Sequence, residues 1–245
     1  MGLHLKVYCQ NFEDSVNNGR SGNLIVYYGS ADSFVYQFPA LSEYLSDSER
    51  ARAERFTHNS DHNCYVAVHA LLRIELSKLM GIKAKSVRIA ESENGKPFIP
   101  DSDLTFSLSR TKNMFAFVIA KDQFLGVDIE QIKPEIDFKN ISLNYFSVEE
   151  HQSILSFKNV ADQKRTFFEI WTRKEALLKA LGIGINNDLV KVHVLEGENV
   201  LDLLGKQNNF HSFKIHTVRK KEAIISIASS TDFVAEFKNL SFVLQ

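Results

Sequence analysis

The sequence predicts an α+β protein made of two similar α/β halves, each a long helix packed on a small, mainly antiparallel sheet. Three observations lead there. A long helix-forming stretch occurs twice, and strand-like runs follow it each time. The two helices share a local pattern, His69-Ala-Leu-Leu-Arg73 and Glu175-Ala-Leu-Leu-Lys179, at one offset of 106 (175 − 69 and 179 − 73), with Tyr65 and Trp171 matching at the same offset. The chain has 245 residues, 44% of them hydrophobic and 24% charged, enough for one large domain or two small ones with a sizeable core. Ala-Leu-Leu is common in helices, so the shared pattern reads either as coincidence or as an internal duplication. A duplication would give a pseudo-dimer with a cleft between the halves.

The elements follow from local signals. The runs LHLKVYC, NLIVYYG and SFVYQF are rich in aromatic and branched residues and read as strands. DSERARAERF is a charged helix. Ser60-Asp61 then reads as a cap for the helix running through CYVAVHALLRIELSKLM to a stop at Gly81. SVRIAE, TFSLS and MFAFVIA read as strands, and a turn at Lys121-Asp122-Gln123 is expected to fold MFAFVIA against FLGVDIE as a hairpin. The boundary between halves falls there, giving domains 1–122 and 123–245. Ser147 and Glu150 form a capping-box pattern, residues 163–181 a long helix ending at Gly182, and VKVHVL, FKIHTV and AIISIAS three closing strands.

The charge balance is 29 basic against 30 acidic residues, a formal net charge of −1, which excludes a broad basic field for nucleic acid or an anionic membrane. No segment approaches the roughly 20 apolar residues that cross a bilayer. Two distant cysteines, Cys9 and Cys64, suit a reducing compartment, so a cytoplasmic protein is expected.

Several residues could carry chemistry. In Leu125-Gly-Val-Asp-Ile-Glu130, strand periodicity puts Asp128 and Glu130 on one face, a natural seat for a hard divalent cation such as Mg²⁺ or a solvated strand face. Glu175 and Lys179 form an i, i+4 pair beside the apolar stripe of the second long helix. Lys174 projects from the middle of that stripe and needs an anionic partner. Asn94-Gly-Lys-Pro97 presents Lys96 on a restrained turn. Ser107, Ser109 and Thr111 share a strand face beside Arg110, a set that suits a phosphate. Arg50, Arg52 and Arg55 line one basic helix. Each has a bland reading as ordinary surface, but together they suggest a phosphorylated substrate lying along a cleft.

The combination Gly126-Val-Asp-Ile-Glu130 and Trp171-Thr-Arg-Lys-Glu-Ala-Leu-Leu-Lys179 resembles the paired signature of the 4′-phosphopantetheinyl transferase superfamily. The length, the duplicated halves and Gly95-Lys96-Pro97 resemble its surfactin-synthetase-activating (Sfp) type, whose monomers are pseudo-dimers with the active site in the cleft. The resemblance spans about residues 40 to 230. It implies transfer of 4′-phosphopantetheine from coenzyme A to a serine of an apo acyl or peptidyl carrier protein, with release of adenosine 3′,5′-bisphosphate.

By the same resemblance, Asp128, Glu130 and Glu175 would hold Mg²⁺, for which Mn²⁺ can substitute. Glu175, or a water it orients, would accept the serine proton, and Lys179 would neutralise the leaving phosphate. Arg52, Lys96, Pro97, Ser109, Arg110 and Thr111 match positions that contact coenzyme A, and Glu150 aligns with an acidic position sometimes counted with the metal. One departure is Arg110, where the family usually has histidine; arginine still binds phosphate but does not titrate near neutral pH. Another is the helix after Asp61, which carries His62, Cys64 and His69 where arginines are frequent. A monomer with no nucleic-acid or membrane partner is implied. Another Mg²⁺-dependent phosphoryl-transfer or phosphodiester-cleaving enzyme, and a non-catalytic carrier-protein or coenzyme A binding module, are the alternative readings.

Overall fold

A computed structural model describes residues 22–121, 124–133, 135–183, 189–190, 192–195, 198–201, 211–221 and 223–241. The LHLKVYC run and Cys9 lie outside the described residues. In chain order the elements are β1 (Gly22–Ser30), α1 (Phe38–Ser42), α2 (Asp47–Ala53), α3 (Asn59–Met80), β2 (Ala90–Glu91), β3 (Pro97–Phe98), β4 (Thr105–Thr111), β5 (Met114–Ala120) and β6 (Leu125–Glu130). There follow α4 (Phe138–Tyr145), α5 (Val148–Leu155), α6 (Val160–Leu181), β7 (Glu198–Leu201), β8 (His211–Arg219), β9 (Ile224–Ser229) and β10 (Phe233–Leu240).

The strands form one sheet in the order β10-β1-β5-β4, another in the order β6-β9-β8-β7, and a short β2-β3 pair. Helix α3 covers one face of the first sheet, where Tyr27, Phe115 and Phe117 join Leu71 and Leu72 in one core. Helix α6 covers the second sheet through Phe167, Ile170, Leu177, Phe213 and Ala228. A third apolar layer joins the sheets: Val26, Ala116 and Val118 meet Val127, Ile129, Ile225 and Ile227. That is why β5 reads as an unbroken apolar run and β9 as one interrupted by Ser226, since both of their faces are buried.

The two halves repeat one plan. In each, the first strand (β1 or β6) pairs antiparallel with the last (β5 or β9), which pairs with the middle one (β4 or β8). The structural register is an offset of 101, shown by the helix-stop residues Gly81 and Gly182 (182 − 81), both left-handed with φ 65° and 70°. The shared Ala-Leu-Leu pattern, at 106, is therefore not the register of the duplication.

At the true register a buried clamp appears twice. In the first half Ser46 and Glu49 form a capping box, and Glu49 Oε2 accepts from Arg73 Nε at 2.5 Å while Arg73 donates to the carbonyls of Ala84 and Val87. In the second half Ser147 and Glu150 form the box. Glu150 Oε2 accepts from Lys174 Nζ at 2.8 Å, and Lys174 donates to the carbonyls of Leu189 and Val192. Each clamp ties a helix to the helix before it and the turn after it.

Four segments differ from expectation. SFVYQF forms a 3-10 turn and the start of α1, because Ser30 Oγ accepts from Asp32 N and Pro39 opens the helix. SVRIAE is strand only at Ala90–Glu91. MFAFVIA pairs with TFSLS through a turn in which Lys112 has φ 45°, and not with FLGVDIE, whose partner is β9. In VKVHVL, Lys191 lies outside the described residues, and Val192 to Val194 join no sheet. Side chains take three of their backbone groups instead: Lys174 takes the Val192 carbonyl, Arg173 takes the Val194 carbonyl at 3.1 Å, and Glu150 Oε1 accepts from Val194 N at 2.9 Å, while Val192 N donates to the Leu189 carbonyl. Beyond the expected strands, β10 crosses to the first sheet and pairs parallel with β1.

Candidate functional site

Strand β6 brings the two acidic positions to one face. Its alternate residues Leu125, Val127 and Ile129 fill the layer between the sheets, which turns Asp128 and Glu130 the other way. Gly126 lets α6 lie directly on this strand: a Cβ there would stand 1.9 Å from the Ala176 carbonyl oxygen. The same close approach sets Glu175 and Lys179 beside the strand's carboxylates.

Asp128 is 4% exposed. Its Oδ1 accepts from Lys179 Nζ and from Ser109 Oγ, each at 2.7 Å, whereas Oδ2 has no hydrogen-bond partner. Glu130 Oε2 accepts from Thr111 Oγ1 at 2.8 Å and faces Lys133 Nζ at 3.4 Å. Burial raises the Glu130 carboxyl above its usual range, against the pull of the Thr111 hydrogen bond. Glu175 is half-buried with Oε1 unpartnered. Burial, with the Asp128 charge beside it, pushes its carboxyl up to about 7.

These groups can hold a cation, although they do not form a closed cage. Among the described residues no cluster of three or more His, Cys, Asp or Glu side chains is arranged as a metal site. What exists is a pair of buried, unsatisfied carboxylate oxygens, Asp128 Oδ2 and Glu175 Oε1, in a neighbourhood of like charge. Orphaned buried acceptors of this kind are costly unless a cation or a donor completes them. Mg²⁺ suits such a partial set, since it is commonly held by one or two carboxylates and completed by water and phosphate oxygens.

From Glu175 and Lys179 a cavity of about 310 Å³ extends past Leu178, Lys96 and Pro97. It shares Gly95, Pro97, Phe106 and Leu108 with a second cavity of about 370 Å³ that reaches Arg52, Tyr65, His69 and Arg110. The far end is basic and aromatic. The Arg110 guanidinium lies over the Phe56 and Tyr65 rings at 4.9 and 5.4 Å, that of Arg52 over Tyr65 at 5.9 Å, and His69 stacks on Tyr65 at 3.8 Å. The His69 ring also donates from Nδ1 to the Tyr65 carbonyl, and burial lowers its pKa to about 4, leaving it neutral near pH 7.

The structure therefore brings Asp128, Glu130, Glu175 and Lys179 together, with Glu175 and Lys179 lining one end of a groove, Arg52 and Arg110 at the other and Pro97 between them. Lys96 lies between them too, but its Nζ donates to the Ala180 carbonyl at 2.9 Å and the Leu125 carbonyl at 3.4 Å. With Asn94 Nδ2 on the Gly182 carbonyl, it fastens the turn to the C-terminal end of α6, where a cation is favoured. Ser109 and Thr111 face β6, and Arg110, one residue out of phase, faces the groove. Glu150 is fully buried, with its oxygens on Lys174, Ser147 N and Val194 N. Sequence reasoning missed Phe56 and Tyr65 beside the groove, for which the trace was the Tyr65–Trp171 match, and marked His69 only as a departure from the family's arginines.

Comparison with known proteins gives two adjoining family matches. Residues 33–123 match the model described as 4′-phosphopantetheinyl transferase, N-terminal, and residues 124–228 the one described as 4′-phosphopantetheinyl transferase superfamily. The chain is 32% identical over 153 residues to the 4′-phosphopantetheinyl transferase HetI of Nostoc sp., covering 61% of this chain and 64% of that protein. It is 29% identical over 144 residues to the 4′-phosphopantetheinyl transferase Sfp of Bacillus subtilis, covering 58% and 62%. It is 27% identical over 212 residues to the 4′-phosphopantetheinyl transferase pptA of Paxillus involutus, covering 78% and 80%. The chain thus spans just under two thirds of the length of HetI and Sfp.

Proposed function

The chain belongs to the 4′-phosphopantetheinyl transferase superfamily and is similar to its Sfp type, and from that premise we propose that it moves 4′-phosphopantetheine from coenzyme A to a serine of an apo acyl or peptidyl carrier protein. The observation that carries this reading is the two-ended groove. A basic, aromatic end suits a phosphorylated adenosine, and an end lined by Glu175 and Lys179, with Asp128 and Glu130 close beside them, suits a pyrophosphate held through a cation.

In the proposed reaction the serine Oγ attacks the phosphorus that bears pantetheine. A new P–O bond forms to serine, and the bond to the bridging oxygen breaks, leaving that oxygen's electron pair on adenosine 3′,5′-bisphosphate. Glu175, or a water it orients, takes the serine proton; its half-buried carboxylate keeps Oε1 without a partner, an acceptor open to that proton. Lys179, fixed by Asp128 and the Val127 carbonyl, faces the charge that gathers on the departing phosphate. Asp128, Glu130 and Glu175 would hold Mg²⁺, with Mn²⁺ as a substitute, and when bound this ion supplies Lewis-acid polarisation of the pyrophosphate.

Arg52, Arg110 and Pro97 line the nucleotide end in this reading, with Lys96, Ser109 and Thr111 as the wall behind them. We place the division between a nucleotide-binding half and a metal-binding half near residues 122 and 123. We also propose a cytoplasmic monomer; no described helix is long and apolar enough to cross a membrane.

Arg110 offers a direct test. A charge-assisted contact to the 3′-phosphate is worth about 1.5–3 kcal/mol. Arg110→Ala should therefore weaken coenzyme A binding at least tenfold in calorimetry and change 3′-dephospho-coenzyme A binding far less. Equal losses for both ligands would remove Arg110 from the phosphate site.

A further inference from the structure

Resting on that reading, we infer that Ser109 and Thr111 are positioning residues that aim the carboxylates of β6 at the cation, and not ligands of the nucleotide phosphates. The argument starts from strand periodicity. Ser107, Ser109 and Thr111 occupy one face of β4 and are 5%, 7% and 6% exposed; Ser107 borders the cavity beside Glu175, whereas Ser109 and Thr111 line neither cavity. That face meets β6, which belongs to the other sheet, and the seam between the strands is closed by hydroxyls. Ser107 Oγ accepts from Val127 N at 3.0 Å, fixing the register, and the next two hydroxyls donate to Asp128 and Glu130.

The two carboxylates are held in the same way. Asp128 Oδ1 accepts from the Ser109 hydroxyl and from Lys179, and Glu130 Oε2 accepts from the Thr111 hydroxyl and faces Lys133. A serine or threonine hydroxyl has one proton to give, and here it is given to the carboxylate. Each carboxylate is thus gripped by one oxygen from a hydroxyl on one side and an ammonium on the other, which fixes the plane of the group. In Asp128, nine-tenths buried and more, the grip leaves Oδ2 as the unpartnered oxygen, and Glu175, close enough to feel the Asp128 charge, has an orphaned oxygen of its own. Arg110, between the two hydroxyls but on the opposite face, is left to serve the groove. One strand divides its labour residue by residue.

The test separates holding the cation from holding the nucleotide. Mn²⁺ binding, followed by paramagnetic resonance with coenzyme A present, reports the first. Calorimetry of coenzyme A in EDTA reports the second. Thr111→Val keeps the side-chain shape and removes the hydroxyl; Thr111→Ser keeps the hydroxyl. Ser109→Ala removes the other donor. We expect Thr111→Val and Ser109→Ala each to weaken Mn²⁺ binding about tenfold or more, as loss of a ligand-orienting partner does elsewhere. Metal-free coenzyme A binding should stay within about twofold, and Thr111→Ser should behave as the parent. If Ser109→Ala does not fold, the threonine pair alone decides. The inference is overturned if Thr111→Val keeps the parent's Mn²⁺ affinity, or if its main loss is in metal-free coenzyme A binding. A parent protein that binds neither Mn²⁺ nor coenzyme A would instead contradict the functional reading, an outcome visible before any variant is made.

Discussion

Lys174 shows how far one residue can be argued. Helical geometry aims it into an apolar stripe, and the structure supplies the carboxylate that this position demands. Both side chains are fully buried at 2.8 Å. Removing one member of such a pair leaves an uncompensated charge and costs about 3–5 kcal/mol. Lys174→Met should therefore lower the unfolding free energy by that amount in urea titration, and adding Glu150→Gln to it should recover part of the loss. A single variant as stable as the parent would show that Glu150 is equally content without its lysine. The need for a partner was legible in the sequence; the partner's identity was not. Glu150 was visible as a capping residue, and nothing in local spacing says that its capping oxygen Oε2 also takes Lys174 across the helix pair.

His69 gives a pH-dependent expectation at the same scale. Its folded pKa is lowered to about 4 from an ordinary 6.5, chiefly by burial. Between these values the unfolded chain binds a proton that the folded ring refuses, so stability is fully present above pH 6.5 and is lost as pH falls toward 4. His69→Gln should flatten the pH dependence of the melting temperature across this window by up to one proton. An unchanged slope would mean that the ring titrates normally.

At the scale of elements, β6 and α6 were the most legible parts of the chain, because period 2 and period 3.6 each point the acidic residues to one side. Their contact distance was less visible, and Gly126 sets it. Gly126→Ala must push α6 off the strand, since the added carbon would overlap the Ala176 carbonyl. Overpacking of this kind costs about 1–3 kcal/mol, and thermal melts of Gly126→Ala should show it. A variant that melts like the parent would mean that the two elements have slack between them. The turn after β5 was misread for a physical reason. Two apolar strands around a polar tripeptide satisfy every local rule for a hairpin, but β6 gains more by closing the second sheet on β9. VKVHVL fails similarly, as buried side-chain donors and acceptors outcompete a sheet for its backbone.

For the whole molecule, the repeated plan was foreseen from the two long helices, but its register came from the clamps and helix stops and not from the Ala-Leu-Leu pattern. Strand β10 went unrecognised because its value is tertiary: it leaves the second half and extends the first sheet beside β1. A chain ending at residue 230 should lose the parallel partner of β1, lower the melting temperature and destabilise the first half in hydrogen exchange more than the second. Equal loss in both halves would show that β10 acts only through overall cooperativity.

The central claim is that a groove with a basic, aromatic end and an acidic end hands a phosphopantetheine group to a carrier protein. Its most direct test is intact-mass spectrometry of apo acyl and peptidyl carrier proteins incubated with the protein, coenzyme A and Mg²⁺. The account predicts a mass gain of one phosphopantetheine group on the parent reaction, and its loss with Glu175→Gln although coenzyme A still binds. A broad panel of carriers that gains no such mass, or a Glu175→Gln protein that transfers at the parent's rate, would contradict it.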